Sequence, residues 1–199
     1  MNREFIHSRS AYVAYLAILI AFVAVFQVFG GYIKIGGTSL SLVLVPIVLG
    51  GIVLGPLGGG ILGTVFSVIV IVMGLIGADP FTGTLLNQAL FGTLATVLFK
   101  GVLAGVVPAL VYKAIAKKNK TAAAFVASAL APVINTGIFI IGMLCMSGVL
   151  QANFVPEGQT VIYFLIIGCA GINFIVELAI NLVLTPAIIK AVSIVGKRR

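Results

Sequence analysis

Uninterrupted apolar runs, separated by short polar or glycine-proline breaks, dominate the chain. Six can be drawn, over residues 11–29, 40–54, 58–77, 86–112, 122–149 and 161–195. A bilayer core of ~30 Å takes about 20 helical residues to cross, and all but the second run meet that need. The run over 40–54 is short, so it must either thin the bilayer locally or pack inside a bundle. The last three are longer than needed, which allows tilt or extension into water. No stretch resembles a soluble domain, a linker or a low-complexity tail, and residues 1–199 are expected to form one transmembrane domain.

Composition turns that pattern into a class. The chain is 61% hydrophobic and 8% charged, where soluble domains carry roughly 25% charged residues. A soluble protein this apolar could not cover its surface with polar groups, so the expected class is an all-α integral membrane protein. This decides one soluble-looking motif. Gly58, Gly60 and Gly63 satisfy GxGxxG, and Asp79 lies near the spacing of the acidic residue in a dinucleotide-binding unit. That unit needs a strand before the glycines, and an apolar run stands there instead. Gly55-Pro56 is read as the break between the second and third runs. Gly59 and Gly63 then form a small-xxx-small face for close helix approach.

Candidate chemistry among the cysteines and the histidine is thin. Cys145 and Cys169 lie in apolar runs with no His or Cys at ligand spacing, and read as packing residues. The single histidine, His7, has no evident catalytic partner, and no metal or cofactor is expected. The first apolar run is followed by others and lacks a cleavage site, so it reads as a retained span.

The formal charge of +8 is a topology signal before it is a nucleic-acid signal, and no nucleic-acid partner is expected. With both ends inside, the cytoplasmic segments hold Arg3, Arg9, Lys113, Lys117, Lys118, Lys120, Lys190, Lys197, Arg198 and Arg199, ten of the twelve basic residues. The outer loops then hold Lys34 with Asp79 and Glu157. The opposite orientation would violate the positive-inside rule. Six transmembrane helices with both termini cytoplasmic, in the cell membrane, are expected.

Two ionisable groups fall inside the runs, Lys100 and Glu177, and such groups are costly in lipid and functional by default. At ~1.5 Å rise per residue, Lys100 lies about 20 Å from Lys113 at the inner end of its helix. Glu177 lies about 20 Å from Lys190, and Asn135 about 21 Å from Thr121. Three polar residues on three helices therefore share one depth. Asn173, Glu177 and Asn181 repeat at i, i+4 and i+8 as one stripe, and Asn135-Thr136 adds a second polar face behind Pro132. One reading is a Lys100–Glu177 pair that only holds the bundle together. Against it, desolvation consumes most of the attraction in a buried pair. The other reading is a polar cavity open to the outside, lined by Lys100, Asn135, Asn173, Glu177 and Asn181. For Asn181 alone, a helix–helix hydrogen bond is the favoured reading.

Catalysis has little support. The sequence has no HExxH, GxSxG or GxxxxGK[ST], so the chain cannot itself hydrolyse ATP. It also shows no inverted repeat of the secondary-transporter kind. A binding subunit that borrows its energy fits best, with a channel or purely structural membrane subunit as the alternative.

Several segments resemble one family. "IKIGGTSLSLVLVPIVLGGIVLGPLGGGILG", "KGVLAGVVPALVYKAIAKKNK", "APVINTGIFIIGM" and "NFIVELAINLVLTPAIIKA" are similar to the substrate-binding S components of energy-coupling factor (ECF) vitamin transporters. The resemblance covers nearly the whole chain. It implies a six-helix membrane fold with an outward-facing pocket under the loop between helices one and two. It further implies partnership with a transmembrane T component and two ATPase subunits, and docking through an AxxxA motif matched by Ala17 and Ala21. Within the family the spacing looks most similar to pantothenate transporters, with Lys100 in the region of a basic residue. Independently, a buried lysine suits a carboxylate-bearing ligand. The lack of Trp counts against a large flat ring, although Phe139, Tyr163 and Phe174 are available to stack. Pantothenate is the expected cargo; riboflavin, folate precursors, niacin or another small metabolite are the alternatives.

Overall fold

Glycine, proline and helix-forming aliphatics divide the apolar runs into helices, and the divisions differ in places from the sequence pattern. The computed structural model describes residues 9–32, 34–35, 38–39 and 42–197; Arg3, His7, Arg198 and Arg199 lie outside the described residues. Helix α1 (Arg9–Tyr32) leads into a two-residue antiparallel ladder, β1 (Lys34–Ile35) with β2 (Thr38–Ser39). Helices α2 (Leu44–Leu75), α3 (Pro80–Gln88), α4 (Leu90–Ile115), α5 (Lys120–Cys145) and α6 (Ser147–Asn153) follow. The chain ends in α7 (Val161–Tyr163), a π-helical stretch (Phe164–Ala170) and α8 (Gly171–Lys197). Among the described residues, 5 helices are long and apolar enough to cross a membrane.

The second and third runs merge into α2, but α2 is not straight. Gly55 has φ 83° and ψ −178° inside it, a left-handed value that glycine adopts without steric cost. The extended ψ is the one that a following proline favours, and Pro56 opens the next helical limb. The limbs fold back on each other. A Cβ built on Gly59 would lie 3.1 Å from the Gly51 Cα, and one on Gly50 would strike the Leu62 side chain. In an unbroken helix Gly51 and Gly59 would stand ~12 Å apart. The first limb, ~16 Å long by helical rise, is buried along nearly its whole length, from Leu44 and Ile47 to Val53 and Leu54. Of the two outcomes open to the short second run, packing inside the bundle is the one observed.

Gly59 and Gly63, within the glycine-rich stretch, make a close seam with α4. Gly59 meets the Gly105 backbone, Gly63 meets the Gly101 backbone, and the Ser67 hydroxyl donates to Val97 O at 2.7 Å. This antiparallel register, one contact per turn, holds the second limb of α2 against α4. Side chains there would wedge the helices apart. On its other face α4 meets α5 at Thr96 and Gly142, and its Thr93 hydroxyl reaches the Met146 sulfur at 3.6 Å. Helix α5 in turn packs on α8, while α1 packs chiefly on α2.

Two short helices were not legible in the hydropathy. The fourth run begins in α3, and the chain breaks at Ala89 (φ −143°, ψ 56°) before α4 starts. The fifth run breaks at Met146 (φ −108°, ψ 26°), with α6 beyond it. Ala89 and Met146 are themselves apolar, and the polar residues beside them, Gln88 and Ser147, interrupt the apolar runs too briefly to show as breaks. Gln88 and Asn153 join α3 to α6 through reciprocal amide hydrogen bonds of 2.9 Å each. Beneath that clasp lies a second apolar cluster, Leu85, Met143, Met146, Leu150, Val155 and Leu165, with Phe81, Phe139 and Phe154 packed against it.

Candidate functional site

Lys100 occupies the middle of α4, between the two seams just described. Its Nζ lies 5.3 Å from the centroid of the Phe66 ring and 5.5 Å from that of Phe139. Phe66 comes from the second limb of α2 and Phe139 from α5, so three helices meet at one ammonium. The α2–α4 seam explains the first contact: a Cβ on Gly101 would stand 3.2 Å from the Phe66 ring and collide with Ser67 Oγ. Glycine beside Lys100 is therefore what lets that ring lie close. Glu177 on α8 and Asp79, at the N-terminus of α3, are the carboxylates whose charges act on Lys100, Glu177 ahead of Asp79. Asp79 is held by the Thr82 hydroxyl, which donates to its Oδ2 at 2.6 Å.

Helix α8 presents a polar stripe to the bundle. Asn173, Glu177, Asn181 and Thr185 are exposed by 5%, 4%, 0% and 0%, and their spacing of four keeps them on one face. Asn173 Nδ2 donates to Cys169 O at 3.0 Å, and Asn181 Nδ2 donates to Glu177 O at 2.9 Å. Thr185 donates to Asn181 O at 2.8 Å. The Asn amides thus spend donors on their own helix. On α5, Asn135 is buried, and Ser128 lies two turns earlier on the same face. The Oδ1 atoms of Asn135 and Asn181 and the Ser128 hydroxyl are buried with no hydrogen-bond partner among the described residues. Each such group costs about 1–3 kcal/mol if it stays unpaired, so these atoms retain unused hydrogen-bonding capacity.

Lys100 and Glu177 are brought within electrostatic reach of each other, and Asn135, Asn173 and Asn181 are all buried. Asp79 was assigned to an outer loop from the sequence, and Phe66 was not singled out. Thr185 continues a stripe whose i+4 spacing was already visible, so it could have been found. Of the three candidate stacking rings, Phe139 meets Lys100, whereas Tyr163 is exposed and Phe174 half-buried. The π-helical stretch ends at Ala170, three residues before Asn173, and a Cβ on Gly171 would strike Ile166 O. Wide turns of this kind recur at functional sites in helices. Ala17 and Ala21 are exposed on α1, away from the cluster.

Membrane-length apolar helices around a buried amine, a carboxylate and amides define a multi-pass membrane protein with an internal polar site. More particularly, the chain belongs to the family described as ECF transporter, substrate-specific component, whose family model matches residues 11–189. No curated protein matches the chain. Members of this family are substrate-binding transporter subunits rather than enzymes, and they act with T and ATPase components.

Proposed function

We propose that this chain captures a small water-soluble vitamin or vitamin precursor carrying a carboxylate, with pantothenate the favoured cargo. Uptake across the cell membrane is then driven by separate ATPase subunits. The observation that carries the reading is the Lys100 ammonium, set between two rings and within electrostatic reach of Glu177. A cation in that environment is costly unless an anion completes it. Lys100 supplies the counter-charge for the carboxylate, and Glu177, Asn135 and Asn173 receive the hydroxyl and amide groups of the cargo. Asn181 extends the polar stripe beneath them.

The reading takes residues 1–199 as one domain with six crossings and both termini cytoplasmic. The reversal at Gly55 and the clustering of basic residues support it. Ala17 and Ala21 serve as the small face on which the T component docks, supported by their exposure on a helix that packs chiefly on α2.

Paired substitutions separate this function from a purely structural Lys100–Glu177 pair. Lys100→Met removes a charge-assisted hydrogen bond of about 1.5–3 kcal/mol. Pantothenate affinity should fall about 10- to 150-fold, with the melting temperature held. A structural pair behaves differently: the single change strands a buried carboxylate and lowers stability, and Lys100→Met with Glu177→Gln restores both properties. A double variant that binds as tightly as the parent would overturn the site.

A further inference from the structure

We propose that Phe66 and Phe139 are positioning residues that clamp the Lys100 ammonium between two ring faces and hold it ready for the carboxylate of the cargo. The inference rests on the reading of Lys100 as the counter-charge. Lysine carries a compact charge on a flexible four-carbon stem, and left alone that stem samples many rotamers. Here the ammonium has a ring within 5.3 Å and another within 5.5 Å, contributed by the helices on either side of α4. The attraction is to the negative face of each ring and strengthens as the cation loses water.

Neither ring is free to drift. Phe66 is 1% exposed and wedged beside Gly101. Phe139 packs on Phe81 at 6.3 Å, and Phe81 packs on Phe154 at 4.7 Å, so the clamp is braced by α3 and the segment after α6. The choice of rings has a chemical consequence. An ammonium has three N–H donors and no acceptor, and a carboxylate held close would take those donors for itself. A ring face offsets the desolvation of the cation without accepting a full hydrogen bond. The clamp therefore holds Lys100 fixed and still able to donate, which favours anionic cargo over neutral analogues of the same shape.

Fluorinated phenylalanines at 139 and at 66 weaken the ring quadrupole stepwise at nearly constant volume, so they separate electrostatics from packing. Two readouts are taken across the series. The first is the melting temperature of the cargo-free protein with Lys100 present and with Lys100→Met. The second is the affinity for pantothenate with Lys100 present. The clamp requires stability to fall stepwise in the Lys100 protein and stay level in the Lys100→Met protein. Affinity should weaken by about three- to thirtyfold at full fluorination. Parallel melting shifts in both backgrounds, or an affinity that stays constant or rises, would overturn it. If Lys100→Met binds pantothenate as the parent does, the cargo reading falls, and the melting comparison still decides whether the rings hold the ammonium.

Discussion

Gly101 ties the packing of the bundle to the chemistry beside it. Its missing side chain lets the α2 backbone approach, and the same gap admits the Phe66 ring next to Lys100. Gly101→Ala would press a methyl group against Gly63 O and Ser67 Oγ. Overpacking of this kind costs about 1–3 kcal/mol. The variant should melt earlier than the parent and bind cargo more weakly, because the ring must move. Gly137→Ala is the matched control, since nothing lies within 4 Å of a Cβ there. Equal melting temperatures for the two variants would refute the seam as the source of the ring's placement. Half of this was legible beforehand. Gly59 and Gly63 have small-xxx-small spacing, but their partners Gly105 and Gly101 emerge only when α4 is laid antiparallel against them. Lys100 stood out because charge inside an apolar run is rare; Phe66 did not, because one more Phe in such a run carries no signal.

At the scale of the element, α1 is the least buried of the five membrane-length helices among the described residues. It turns Leu19, Val23 and Gln27 inward and leaves Ala14, Ala17, Ala21, Ile18 and Phe22 exposed. Small residues on an exposed face permit close approach by another helix, and lipid-facing helices gain from such packing. Ala17→Leu should therefore abolish uptake when the T and ATPase components are present, while cargo binding by the isolated subunit is unchanged. Loss of both together would show that Ala17 serves the fold and not docking. Element lengths were less legible than element existence. The hydropathy located every long helix, because apolar length is what a bilayer selects. It missed the breaks at Ala89 and Met146, where the residues that leave helical geometry are apolar and the flanking pairs Asn87-Gln88 and Ser147-Gly148 are too short to end an apolar run. The break at Gly55 was visible because glycine and proline each have a conformational reason to sit there.

Over the whole molecule, a single polar interior is assembled from parts that sit far apart in sequence. Seams of glycine and threonine hold α2, α4 and α5 together, α8 contributes its stripe, and α3 with α6 covers one side. Depth from helix ends pairs Lys100 with Glu177 from sequence alone, since helical rise is nearly constant, and the two act on each other in the fold. The contribution of Asp79 needed the tertiary fold, because α3 is what carries it toward Lys100. The central claim is that this chain, without its partners, holds a small carboxylate-bearing vitamin through Lys100. Native mass spectrometry of the purified subunit, as parent and as Lys100→Met, tests it most directly. The account predicts that the parent retains one equivalent of such a molecule, pantothenate first among the candidates, and that the variant has lost it. A parent that carries no vitamin even after incubation with pantothenate, riboflavin, folate and niacin, or a variant that retains its cargo as fully as the parent, would contradict it.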